Sequence, residues 1–126
     1  MADIDYSALG QAIDTTWGRS STPRTSSYSV KLTMQGRDRL LVSYAVVVNF
    51  GTERQMIEMK RRYAEESIAV TNDAVKRAKA TYRELTGNSI KAKELSASDS
   101  LEIISFNVHT ARRTAYYRRK AIFEVA

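Results

Sequence analysis

The sequence predicts an α+β fold in which one long helix lies across a mainly antiparallel, four-stranded sheet, in the order β-β-α-β-β and preceded by an N-terminal arm. Three observations support this prediction. A run without proline or glycine extends from Thr52 to Thr86, which is long even for a helix. Two segments typical of strands precede this run, and two more follow it. Separate strand pairs around a single helix favour an α+β arrangement.

Residues 1–27 are predicted to form an arm and linker, and residues 28–126 a single α+β domain. Asp5 is a candidate cap for a short helix. Its apolar residues recur at spacings of three and four: Tyr6, Leu9, Ile13 and Trp17. Residues 18–27, GRSSTPRTSS, contain the only proline and predict a flexible linker. The arm is therefore expected to dock weakly, on its own domain or on a neighbour, and to be dispensable for folding but needed for assembly.

The first strand pair is predicted over Tyr28–Gln35 and Leu40–Phe50. The first member alternates apolar and polar residues, with Gly36 able to take a positive φ in the following turn. In the second member both faces are largely apolar. Such a pattern is typical of a central strand, or of a strand whose second face contacts another subunit. The residues of that second face are Leu41, Ala45 and Val47.

The helix is predicted over residues 52–86. Thr52 and Gln55 have the spacing of a capping box, and Gly87 is suited to the position after the helix end. Val46 and Val48 are expected to pack on its apolar stripe. A helix of this length measures about 50 Å, whereas a compact chain of this size has a radius of gyration of roughly 14 Å. The helix is therefore expected to extend past its own sheet and to need a partner.

The second strand pair is predicted over Leu101–Val108 and Thr114–Val125, joined by a turn at residues 109–113. Ile104, Phe106 and Val108 are predicted to share one face of the first strand. The residues before it, Asn88–Ser100, are polar and predict a connection without regular structure. The two strand pairs resemble each other in length but show no sequence repeat.

Composition excludes several classes of chemistry. The chain has no cysteine and one histidine, so neither thiolate chemistry nor a zinc site is expected. His109 falls in the predicted turn and is expected to be solvated. Glu58 and Glu65 lie beside Arg61 and Arg62, which favours ion pairs on a solvated helix face over a general acid and base. We expect no enzymatic activity, no cofactor and no membrane contact.

The charge pattern indicates an anionic or protein partner. The net charge is +6, and residues 101–126 contribute five Lys or Arg against two Glu. The segment ARRTAYYRRK contains the candidate nucleic-acid-binding residues, where cations and an aromatic ring could hold phosphates and stack a base. These residues are Arg112, Arg113, Tyr116, Arg118, Arg119 and Lys120. Two other interpretations stay open, a solvated basic strand or a subunit interface. For an interface the candidates are Tyr116, Arg118 and Lys120, together with the four arm residues.

The organisation resembles that of small structural proteins from the virions of tailed bacteriophages. The resemblance covers the tethered arm, the strand LLVSYAVVVNFG, the charged helix TERQMIEMKRRYAEESIAVTNDAVKRAKATYREL and the closing strand RRTAYYRRKAIFEV. It implies a homo-oligomeric component of a neck, tail or capsid, which contacts itself and neighbouring structural proteins. The expected location is the virion, after synthesis in the host cytoplasm. The alternative is a basic, cytoplasmic module that binds nucleic acid or associates with the ribosome.

Overall fold

The computed structural model describes the backbone of residues 3–16, 18–22 and 25–126, and the side chains of residues 3–14 and 28–126. The helices are α1 (Tyr6–Thr16) and α2 (Glu53–Thr86). The strands are β1 (Gly18–Thr22), β2 (Thr25–Met34), β3 (Arg39–Phe50), β4 (Ala92–Asn107) and β5 (Arg112–Val125). They form one sheet in the order β1-β2-β3-β5-β4, in which all the described pairs are antiparallel. The predicted α+β fold with one long helix is confirmed.

Both helices pack on one side of the sheet, which we call the helix face; the opposite side is the open face. Alternation along the central strand β3 separates the two. Val42, Val46 and Val48 are buried on the helix face, whereas Leu41, Ala45 and Val47 lie on the open face and are half-buried or exposed. β3 is therefore central, as predicted, and the open face has no helix over it in the described part of the chain.

Helix α2 begins and ends where the sequence predicts. The Thr52 hydroxyl accepts the backbone N–H of Gln55 at 3.1 Å, and the Gln55 side chain accepts the N–H of Thr52 at 3.2 Å. Gly87 ends the helix in the left-handed region at φ 75°. Tyr63 belongs to the same apolar cluster as Val46 and Val48, with Val70 packed against it. The expected packing of the helix on the sheet is thus confirmed.

Whether α2 extends past its own sheet stays a prediction. Its 34 residues span about 51 Å, and the central strand β3 has 12 residues and spans about 41 Å. Met56 packs against one apolar cluster near the helix start, and Tyr82 belongs to a second cluster near its end. The helix is thus packed on the chain's own core from near its start to near its end.

Two segments predicted to lack regular structure are strands. Strand β1 lies within the predicted linker and pairs with β2, from Gly18 opposite Val30 to Thr22 opposite Thr25. Strand β4 begins at Ala92 rather than Leu101. Polar residues are tolerated in its first half because β4 is an edge strand, where their side chains remain in water. The sheet thus has five described strands instead of the four predicted, and the connection between α2 and β4 is much shorter than predicted.

Helix α1 belongs to the core of the chain. Asp5 caps it as predicted, with its carboxylate accepting the N–H of Ala8 at 3.1 Å. Leu9 and Ala12 are 1% and 0% exposed and pack in the same cluster as the second half of α2. The backbone N–H of Asp5 also donates to the Tyr82 hydroxyl at 3.0 Å. Whether residues 1–27 fold as a unit separate from residues 28–126 stays a prediction.

Candidate protein interface

Exposed apolar side chains gather at the end of the β4–β5 hairpin, which we define as residues 103–113 and call the hairpin tip. Among the described residues ten large hydrophobic side chains are exposed, and four of these are in the tip. They are Ile103 (52% exposed), Ile104 (45%), Phe106 (50%) and Val108 (73%). Singly exposed apolar residues are ordinary, whereas four within six positions make the tip a candidate contact surface.

The tip has a defined shape. The Asn107 side chain accepts the backbone N–H groups of His109 and Thr110 at 2.9 and 3.3 Å, and Ala111 is left-handed at φ 56°. Arg113 stacks over the Phe106 ring at 4.8 Å from its centroid. These contacts hold the apolar side chains on an ordered turn. The tip therefore presents a fixed apolar surface bordered by cations.

The tip is exposed because α2 does not cover the edge strand β4. Residue pairing places Ile103 and Phe106 on the helix face, opposite Ala115 and Arg113. In the middle of the sheet the corresponding side chains lie under α2, but β4 is the outermost strand. Irregularities in the pairing near Leu95 and Ile104 also interrupt the strand, as is common at sheet edges. The tip thus lacks the cover that the rest of the helix face has.

A hollow lies at the opposite end of the sheet. It has a volume of about 560 Å³ and is bordered by the first half of α1 and by the turn between β2 and β3. Its lining residues are Tyr6, Leu9, Gly10, Met34, Gly36 and Arg37. Gly36 supplies the positive φ (79°) that the sequence predicts for this turn. The hollow is apolar at its base, where Leu9 is buried, and open to solvent beside Tyr6, which is 46% exposed.

The predicted interface residues of the arm have different environments. Tyr6 is exposed and borders the hollow. Leu9 and Ile13 are 1% and 5% exposed and belong to the chain's own core, so in this conformation their side chains are not available to another subunit. The physical reason is that their helix face packs on α2 and β2. Trp17 lies outside the described residues.

The predicted interface residues of β5 lie together on the open face. Tyr116, Arg118 and Lys120 alternate there, as predicted for a strand. Arg118 stacks over the Tyr116 ring at 4.9 Å from its centroid and approaches the Glu102 carboxylate at 3.7 Å. Arg118 therefore already has two partners on its own sheet.

The predicted nucleic-acid-binding residues do not form one surface. Tyr116, Arg118 and Lys120 lie on the open face, whereas Arg113 and Arg119 lie on the helix face. Arg112 lines a separate hollow beside Met59 and Tyr63 of α2. The Arg119 side chain is only 13% exposed and pairs with Asp99 at 2.9 Å and with Glu94 at 3.7 Å. An arginine that is buried and paired twice is poorly placed to hold a phosphate.

Arg119 instead pairs with Asp99 in a partly buried polar group, which the sequence does not predict. The Tyr117 hydroxyl donates to Asp99 at 2.6 Å, and the Tyr44 hydroxyl donates to Glu66 at 2.8 Å. Burial, together with the bond to the Asp99 carboxylate, raises the pKa of Tyr117 to about 12. Burial likewise raises the pKa of Tyr44 above its ordinary value, and Glu66 adds to this shift.

No arrangement typical of catalysis was found in the described part of the chain. His109 is exposed in the tip. Glu65 approaches Arg61 at 3.8 Å, which confirms the predicted ion pair on the helix surface. Glu58 approaches Arg54 at 3.6 Å, and not Arg61 or Arg62 as predicted. Among the described residues there is no group of three or more His, Cys, Asp or Glu that could hold a metal ion. Within the same residues no helix is long and apolar enough to cross a membrane.

Comparisons with known proteins give no relative from which a role could be transferred. The chain matches no family model, no curated protein and no solved structure. The surfaces of the chain itself are therefore the evidence for its function.

The hairpin tip was not predicted from the sequence, because its apolar residues were interpreted only as one face of a strand. The run IISFNV, with no second helix after it in the sequence, is the signal that could have revealed it.

Proposed function

We propose that this protein is a non-enzymatic structural assembly protein, a homo-oligomeric component of the virion of a tailed bacteriophage, which acts through protein–protein contacts in a neck, tail or capsid. The observation that carries the assembly role is the concentration of exposed apolar side chains at the hairpin tip. Four of the ten exposed large hydrophobic residues fall within six positions, from Ile103 to Val108. Burying such a group in a subunit contact removes it from water.

The assignment to a virion is supported by the resemblance of the chain's organisation to that of phage structural proteins. The structure retains two features of that resemblance, the long charged helix and the closing basic strand. The ordered tip and the apolar hollow are also suited to repeated contacts between identical subunits. The virion role predicts that mass spectrometry finds this chain in particles purified from the source culture. Its absence from such particles would contradict that role.

Self-association is tested by size-exclusion chromatography with light scattering over a range of protein concentrations. The proposal predicts a defined multiple of the 14.2 kDa chain mass. A mass of 14.2 kDa at every concentration would contradict it. The variant Val108→Asp is informative because Val108 is 73% exposed, so the substitution should leave folding intact while it weakens a contact through the tip.

Nucleic-acid binding through the open face is the alternative function, and it has less support. Tyr116, Arg118 and Lys120 lie together there, but Arg118 is already paired with Glu102 and stacked on Tyr116. A platform for bases usually carries several exposed aromatic rings along a basic groove. Salt-sensitive binding of RNA or DNA by a monomer, lost in Tyr116→Ala with Lys120→Ala, would favour this alternative over assembly.

A further inference from the structure

We propose that the hairpin tip of one copy binds in the hollow of the next, so that copies associate head to tail. This inference rests on the proposed function and adds to it the two surfaces that meet and the kind of contact they make. The tip presents Phe106 and Val108, and the hollow presents Tyr6 and Met34 around a volume of about 560 Å³. One surface is a projecting turn with exposed apolar side chains, and the other is an apolar depression.

The two surfaces of one chain cannot meet each other. Strand β3 begins next to the hollow at Arg39 and ends next to the tip at Phe50, where Phe50 pairs with Arg113. Its 12 residues span about 41 Å. A second copy is therefore the occupant that places the tip in the hollow. Because each copy carries both surfaces at opposite ends, the contact is heterologous, and its repetition gives a closed ring or an open filament.

The charges around the two surfaces are complementary. Arg112 and Arg113 border the tip, and Arg113 is held over the Phe106 ring. Asp3 and Asp5 are exposed just before Tyr6, which borders the hollow, and Arg37 lines the hollow itself, so two acids stand against one cation there. A tip seated in the hollow brings the cations toward these acids, which favours the head-to-tail orientation over contacts between two tips.

Two substitutions block one surface each and should leave the fold intact. Val108→Asp places a charge on the most exposed apolar residue of the tip. Gly10→Lys places a long, charged side chain at the hollow. A Cβ added at Gly10 meets no atom within 4 Å, and replacing a glycine inside a helix favours the helix. The control is Ile68→Asp, which alters another exposed apolar residue (43%), on α2.

The experiment compares each variant alone with an equimolar mixture of the two blocking variants, by light scattering after size-exclusion chromatography. Circular dichroism and thermal melting confirm that each variant is folded. We expect each blocking variant alone to be a monomer and the control to keep the wild-type mass. The mixture should give a dimer of twice 14.2 kDa, because one intact tip from Gly10→Lys meets one intact hollow from Val108→Asp and no further copy can add.

The outcomes separate this inference from the proposed function. A wild type that stays monomeric overturns both. If the wild type is oligomeric and the folded blocking variants keep its mass, the tip-to-hollow contact is overturned. The assembly role then still stands. Monomeric variants whose mixture also stays monomeric overturn the head-to-tail arrangement, because an intact tip and an intact hollow on different copies then fail to bind each other.

Discussion

The substitution Leu9→Ala tests whether α1 is part of the folded core, where the sequence and the structure lead to different expectations. Leu9 is 1% exposed and packs in the larger apolar cluster. Truncating a fully buried leucine typically costs 2–5 kcal/mol, so we expect a loss of about 3 kcal/mol from a total stability of about 5–15 kcal/mol. At roughly 4 °C per kcal/mol for a chain of this size, the melting temperature should fall by about 12 °C.

The assay is thermal and urea unfolding followed by circular dichroism at a fixed protein concentration. Gln11→Ala is the matched control, because Gln11 lies exposed on the same helix and its truncation should change the free energy of unfolding by less than about 0.5 kcal/mol. If Leu9→Ala melts with the wild type, α1 does not contribute to the core. The arm would then be dispensable for folding, as its sequence alone suggests.

Three further predictions concern the core, the glycines and pH. Val48→Asp places a carboxylate with no evident partner at a position 1% exposed, and should lower the free energy of unfolding in urea by more than about 3 kcal/mol; normal urea unfolding would contradict the assigned core. Gly87→Ala should destabilise by roughly 1 kcal/mol, because its φ is 75°, whereas Gly10→Ala should raise the melting temperature. The folded-state pKa of Tyr117 is about 12, above the ordinary 10.0, so its stabilising contribution is complete below about pH 10 and is lost as the pH rises through about 12. Tyr117→Phe should therefore lose less stability over that interval in urea unfolding at each pH, and an unchanged pH dependence would refute the raised pKa of Tyr117.

Local signals in the sequence were enough for much of the fold. The capping box at Thr52, the glycine at position 87 and the alternation along β3 each depend on nearby residues, so they could be recognised without tertiary information. The first half of β4 could not be recognised. Its residues, including Ser96, Ser98 and Ser100, are exposed at a sheet edge, and nothing in their polarity distinguishes them from a loop. Pairing with β5 makes this segment a strand.

The candidate site was harder to predict than the fold, because it depends on which elements remain uncovered. The sequence placed Phe106 and Val108 on a strand face but could not show that α2 leaves β4 bare at the sheet edge. Arg119 was predicted to face a ligand, whereas strand parity places it on the helix face beside Asp99. The hollow likewise depends on the packing of α1 near Gly36, two segments distant in sequence.

The central claim, assembly through identical subunits in contact from tip to hollow, is tested most directly by disulfide trapping. The chain has no cysteine, so the double variant Arg37→Cys with Val108→Cys carries thiols only at the hollow and the tip. The sites lie at opposite ends of β3, too far apart for a bond within one chain. We predict a ladder of multiples of 14.2 kDa after mild oxidation, from the double variant only. A double variant that stays at 14.2 kDa, or that forms dimers no faster than either single variant, would contradict the account.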